Sequence, residues 1–406
     1  MGTFVKALLI KGKSAYGVLR LFTDELAAAF RAHGWTVELL DLEVEANVQR
    51  PLDDYAREAP VDLIFSFGIF GESRDAEGLY VGDLVGAPHV VQYVDYPLSH
   101  LTRLEATSPR AALLMVDETH VAAVGSIYGS DRFADVRFSP HAAIGPTVSP
   151  GADPADFAAR RPIGILLPVT GYPMPPPGWR DLPPAVKAIF EQAAEIALAD
   201  DWTAPLAALD QALVAAGVDI ADPQFAAIRK LATYIHEHVR AVRRRQVLEA
   251  IERLNLPVHI VGAGHRPTRA RASNVTVVGE ARFDQVLALM AGSRMVLNIN
   301  ANFGAGSHER PLSAMNAGAV AATDESRFYA ANFTSGVEAA TYRWTSLDED
   351  LSAIAALAND SDAAFAMAVA GQRRVVQGHL WTHRIAGIVA AANAVRAKVQ
   401  APRSVS

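Results

Sequence analysis

Five consecutive residues, Gly306-Ser307-His308-Glu309-Arg310, hold the densest chemistry in the chain. They follow the apolar run Met295–Asn300, short and β-branched enough for a buried strand, and a small-residue loop that includes Gly304. Pro311, tolerated only near a helix start, and Gly318, a natural stop before the apolar run Ala319–Thr323, bound a short helix with Ser307 as its expected N-cap. The N–H groups from about Ser307 to Arg310 then face the gap left by Gly304 and Gly306, with the positive end of the helix dipole behind them. A phosphate fits such a place. Backbone N–H groups, an arginine and a histidine are suitable donors to a diphosphate leaving group, and Glu309 could orient a hydroxyl or a water. The bland alternative is an exposed helix start with a capping serine and a Glu309–Arg310 surface pair.

Other motifs read as structural. Gly12-Lys13-Ser14 looks like the end of a phosphate-binding loop, but the glycine needed five residues earlier is Ala7. Gly262-Ala-Gly264-His-Arg-Pro267 follows a strand, yet proline replaces the third glycine of a dinucleotide fingerprint, which argues against a dehydrogenase. His236 and His238 stand two apart on a helix, hence on different faces, and read as exposed polar residues. His379 and His383 share a face but lack the zincin glutamate, since Leu380 takes its place. Asp348/Asp350 and Asp360/Asp362 have a metal-holding spacing but fall at helix starts, where acids favour the positive dipole end. Arg240, Arg243, Arg244 and Arg245 read as a solvated helix face. No metal is expected.

These groups need a scaffold, and the chain is long enough for one. At 406 residues, half of them apolar, it should form two domains, perhaps three, with substantial cores. No run of about 18 apolar residues suggests a transmembrane span, and the N-terminus lacks a cleavage pattern. Zero cysteines exclude disulfides and thiolate chemistry and fit a cytoplasmic location. The net charge of −7 gives no general attraction to nucleic acid. Strands are expected at Phe4–Ile10, Val37–Leu42, Leu63–Phe67, His89–Val94, Ala112–Val116, Val121–Val124 and Val136–Phe138, with an amphipathic helix at Val18–His33. After a Gly/Pro/Asp-rich stretch at 145–161, a strand at Ile163–Val169 opens a second half. Its Ala185–Leu254 segment reads as helical. Strands then resume at Pro257–Val261 and Val275–Val278. Such alternation implies parallel sheets covered on both faces, with ligands beyond the carboxyl ends of the strands.

The segment LNINANFGAGSHERPLSAMNAGAVAATDES, residues 297–326, resembles the C-terminal domain of GT-B glycosyltransferases, especially the CgeB-like group and related group 1 transferases. Arg310, Ala314, Ala317 and Gly318 match that family's helix. Pro257–Gly262 with Val275–Glu280, Gly371–Ile388 and Phe138–Ala142 match further stretches in the same order. The resemblance implies an α/β fold of two Rossmann-like domains facing a central cleft. Residues 1–155 would take the acceptor. Residues 156–380, with a helical insertion at 180–254, would take the nucleotide-sugar, and 381–406 would form a helix returning to the first domain. It implies a hexosyltransferase using a nucleotide-diphospho-sugar, expected to be a UDP-sugar; with the donors at 306–310 available to the diphosphate, neither metal nor other cofactor is expected. The acceptor would be a protein, glycan or lipid, and a homo-oligomer is possible.

Donor contacts would come from Gly171, Tyr172, Asn300, Gly304, Gly306, Ser307, His308, Arg310 and Ser313. Ser313 stands where many group 1 members place the carboxylate that binds the donor ribose. Asp95, in YVDYP, and His141 are the candidates for a base beside Glu309, and either could instead be a structural hydrogen-bonding residue. Two alternatives of other classes are a non-hydrolysing sugar-nucleotide epimerase and a non-catalytic sugar-nucleotide-binding protein.

Overall fold

The computed structural model describes residues 5–14, 16–44, 52–55, 60–68, 79–171, 174–264 and 274–400. The chain divides into two compact units, Met1–His141 with Trp381–Ser406, and Ala142–Leu380.

In the first unit six parallel strands, β1 (Lys6–Lys11), β2 (Thr36–Asp41), β3 (Leu63–Phe67), β4 (His89–Tyr93), β5 (Ala112–Met115) and β6 (Asp135–Phe138), pair in the order β2-β1-β3-β4-β5-β6. Every residue of β3, β4 and β5 is buried, as strands covered on both faces require. Val121–Val124 is not a strand. It lies within the helix Glu118–Tyr128, whose start is fixed by the Asp117 carboxylate accepting from Thr119 N–H. The helix Ile385–Gln400 completes this unit. Arg384 donates to the carbonyls of Pro140 and His141, and Lys398 to those of Asp131 and Phe133.

The second unit has a second parallel sheet. Its strands are β7 (Ile163–Pro168), β8 (Val258–Val261), β9 (Val275–Gly279), β10 (Ser293–Leu297), β11 (Val320–Asp324) and β12 (Ala340–Tyr342), in the order β12-β11-β10-β7-β8-β9. The chain enters this unit at Ala142, earlier than the composition shift suggests. Residues 144–148 are tied to the helix Glu309–Asn316 through Ile144 N–H to Ser313 Oγ (3.1 Å) and Val148 N–H to Asn316 O (3.0 Å).

Between β7 and β8 lie the helices Pro184–Ala199, Pro205–Ala215, Ala226–Lys230 and Ala232–Arg253. The last of these is also the crossover helix of the β7–β8 pair, because its Val247, Ala250 and Ile251 join the core built on β7, β8 and β10. The added helices precede it and form a small core of their own. There Trp179 stacks on Phe190 at 6.0 Å, and Arg229 grips Asp210 through two nitrogens at 2.6 and 2.7 Å. Among the described residues no single helix is long and apolar enough to cross a membrane.

Candidate functional site

At the carboxyl end of the second sheet the chain leaves β10 through Asn298, Ile299 and Asn300. Asn298 still pairs as a strand residue, its N–H donating to Ala322 O at 2.7 Å, and its side-chain amide donates to Thr323 Oγ1 at 3.1 Å. Asn300 N–H donates to the Asp324 carboxylate at 2.6 Å. That carboxylate ends β11 in a buried position, and burial raises its pKa to about 6, against the pull of the Asn300 N–H and of Arg243. Asn302 takes a left-handed conformation (φ 74°), tolerable for asparagine, and its amide donates to His236 O at 2.8 Å.

The loop closes onto its surroundings. A Cβ on Gly304 would lie 2.6 Å from Trp202 O, so the missing side chain admits the backbone of the added helices. Gly306 O accepts from Ser326 Oγ at 2.7 Å. The helix then begins at Glu309, with His308 as N-cap. Its Nδ1 accepts from Arg310 N–H at 3.5 Å, a long cap bond. Ser307 is therefore not the cap. Its hydroxyl is fully buried without a hydrogen-bond partner, as are both amide atoms of Asn300, which is 2% exposed.

His308, Glu309 and Arg310 form one charged cluster. The His308 imidazole contacts the Glu309 carboxylate, and Arg310 Nη2 lies 3.0 Å from His308 Nε2. Arg310 also donates to Pro168 O at the end of β7, which fixes its guanidinium across the sheet edge while 19% of the side chain remains exposed. Burial lowers its pKa, and the Glu309 carboxylate offsets part of that.

The remaining expected site residues lie as follows. Gly171 N–H donates to Ala263 O at 2.8 Å, continuing the β7–β8 pairing beyond the strands. Tyr172 lies outside the described residues. Ser313 is fully buried, and its hydroxyl accepts from Ile144 N–H of the entering chain. In the first unit, Asp95 is exposed after β4, with His100 Nε2 3.7 Å from its carboxylate. His141 is buried, with its ring edge-on to Phe22 at 5.6 Å among aromatic neighbours.

Two readings of exposed surface, the arginine cluster and the histidine pair, are also corrected. Arg243 is buried, donating to Ala197 O and Asp200 O at 2.9 and 2.6 Å. Arg244 donates to Thr170 O. His236 is buried against Asn302, and the His238 ring lies 4.9 Å from that of Trp179. The acids of the two spaced pairs do sit at helix starts: Asp348 pairs with Arg253, Asp350 accepts from Arg343 N–H, and Asp360 caps the next helix. Sequence reasoning passed over Asp324, although a carboxylate ending a buried parallel strand was a usable signal.

Comparison with known proteins agrees with this architecture. Residues 243–390 match the family model described as glycosyl transferase-like. An alpha-glucosyltransferase solved with UDP superposes with a TM-score of 0.54, over 95% of this chain and all of that one, at 10% identity. A sucrose-phosphate synthase from Thermosynechococcus elongatus gives 0.51 over 97% of this chain and 99% of that one, at 11% identity. No curated protein matches by sequence. The fold is that of the GT-B glycosyltransferases, and residues 243–390 within it are similar to a glycosyl transferase-like domain.

Proposed function

We propose that the protein transfers a hexose from a UDP-sugar to an acceptor, with the donor held by the second unit and the acceptor by the first. The observation that carries this reading is the group of polar atoms at the carboxyl end of β10. The unpartnered Asn300 amide and Ser307 hydroxyl there adjoin a helix start bearing His308, Glu309 and Arg310. Leaving buried donors and acceptors unpaired costs about 1–3 kcal/mol each, which a bound ligand's oxygens recover. The partial positive charge of the helix start and the Arg310 cation suit a diphosphate leaving group. The structurally similar alpha-glucosyltransferase was solved with UDP, which favours uridine among the nucleotides. Charge on the leaving diphosphate is met by these donors without a metal, and the exposed Asp95 is the candidate base.

Native mass spectrometry with UDP-, GDP-, ADP- and dTDP-glucose tests this directly. Retention of UDP-glucose, with transfer that survives EDTA, is the expected result. Failure to retain any of the four removes the donor site.

A further inference from the structure

Trp202 is the exposed member of the chain's five tryptophans, with 41% of its surface accessible. It belongs to the turn between the helices Pro184–Ala199 and Pro205–Ala215, part of the added helices. An indole left in water forgoes the burial that its large apolar surface would otherwise gain, so its position invites a reason.

The turn is held firmly. Asp200 accepts from the N–H groups of Trp202 and Thr203 at 2.8 and 2.7 Å, Arg243 donates to Asp200 O, and Trp344 N–H donates to the Asp201 carboxylate. The turn is also docked on the loop of the candidate site, since only a residue without Cβ at 304 lets Trp202 O approach so closely. Gly304 O in turn accepts from Arg327 N–H at 3.0 Å, and the Arg327 guanidinium lies over the Trp202 ring, 5.9 Å from its centroid. Arg327 opens the helix that follows β11, so ring and cation both stand at the carboxyl edge of the sheet, where parallel sheets bind ligands.

We propose that Trp202 is a sugar-recognition residue, its indole stacking on the hexose ring of the donor with Arg327 donating to a sugar hydroxyl. This rests on the donor-site reading above. The apolar C–H face of a pyranose suits an aromatic surface, its hydroxyls suit a guanidinium, and a turn already ordered by Asp200 loses little freedom on binding. The added helices thereby supply specificity that the sheet alone does not.

The test compares each nucleoside diphosphate (UDP, GDP, ADP, dTDP) with its glucose ester by calorimetry, in the full chain and in Trp202→Ala and Trp202→Phe. The expected result is that the wild type prefers the ester, that Trp202→Ala loses about threefold to tenfold in ester affinity while its diphosphate affinity is kept, and that Trp202→Phe restores most of the preference. Equal losses for diphosphate and ester, no loss, or a change confined to the acceptor KM would overturn the proposal while leaving the donor site standing. Failure of every nucleotide to bind the folded wild type would remove the donor site and this proposal together.

Discussion

The two ends of the helix Glu309–Asn316 are built on opposite rules. At its C-terminal end the carbonyls of Asn316 and Ala317 are met by side-chain donors. Arg161, fully buried, donates to Ala317 O at 3.0 Å, to Ala291 O at 2.6 Å and to Ser293 O at 3.2 Å, which places one cation against the ends of two helices. Gln372 donates to Asn316 O, and the Asn316 side chain joins Gly145 O and Thr147. At its N-terminal end the Ser307 hydroxyl and the Asn300 amide remain unpaired and a His-Glu-Arg cluster holds charge close together. The C-terminal end, with its carbonyls met and only Arg161 Nε unpartnered among the described side-chain atoms around it, has the character of a structural joint. The unsaturated end has the character of a ligand site, where stability is given up for polar groups held ready.

Substitutions at the two ends should separate these roles, and the largest effect is expected at the closed end. Gly318 has φ +73°, and a Cβ there would lie 2.5 Å from Val148 O and 2.6 Å from Arg161 Nη2. Gly318→Val should destabilise the second unit by about 4 kcal/mol or more, since both contacts are with fixed groups. Chemical denaturation showing a loss under 1 kcal/mol would contradict the closed-joint reading.

Asp324 comes next. Its folded-state pKa of about 6 lies above the ordinary aspartate value near 4, so the folded protein binds more protons than the unfolded chain between those values. The stability contribution is therefore full below about pH 4 and is lost as pH rises through about 6, by up to about 3 kcal/mol. Asp324→Asn, whose amide oxygen can still accept from Asn300 N–H, should flatten that slope and raise stability at pH 8 by roughly 1–3 kcal/mol. Denaturation midpoints at pH 4.5 and 8 check this, and an unchanged slope would show that the carboxylate is better compensated than its burial implies.

Arg310→Ala removes a cation at the open end and should weaken donor binding by roughly 1.5–3 kcal/mol, the worth of a hydrogen bond to a charged group. Because Arg310 also holds Pro168 O, some stability should go with it, and Arg310→Lys controls for charge. Calorimetry giving wild-type affinity in folded Arg310→Ala would place the diphosphate elsewhere. The smallest effect is expected for Ser313→Ala, which deprives Ile144 N–H of its acceptor. About 1 kcal/mol of stability should be lost with donor affinity untouched. A weaker donor affinity would return Ser313 to the ribose.

Sequence by itself determined the elements around the site. The β-branched apolar run fixed β10, Pro311 and Gly318 bounded the helix, and the strand–helix alternation specified parallel sheets, because propensity and periodicity act over neighbouring residues. What only the tertiary structure decided is which polar groups are spent and which are left. Ser307 looked like a cap and is an unpaired hydroxyl, while His308 caps in its place. Ser313 looked available to a ribose but meets Ile144, 169 residues away in the chain. Arg243 looked solvated but meets carbonyls 46 and 43 residues distant. Gly304 looked like room for a phosphate and is room for Trp202. Each of these outcomes depends on desolvation and on a partner brought from far along the chain, and local spacing holds no record of either.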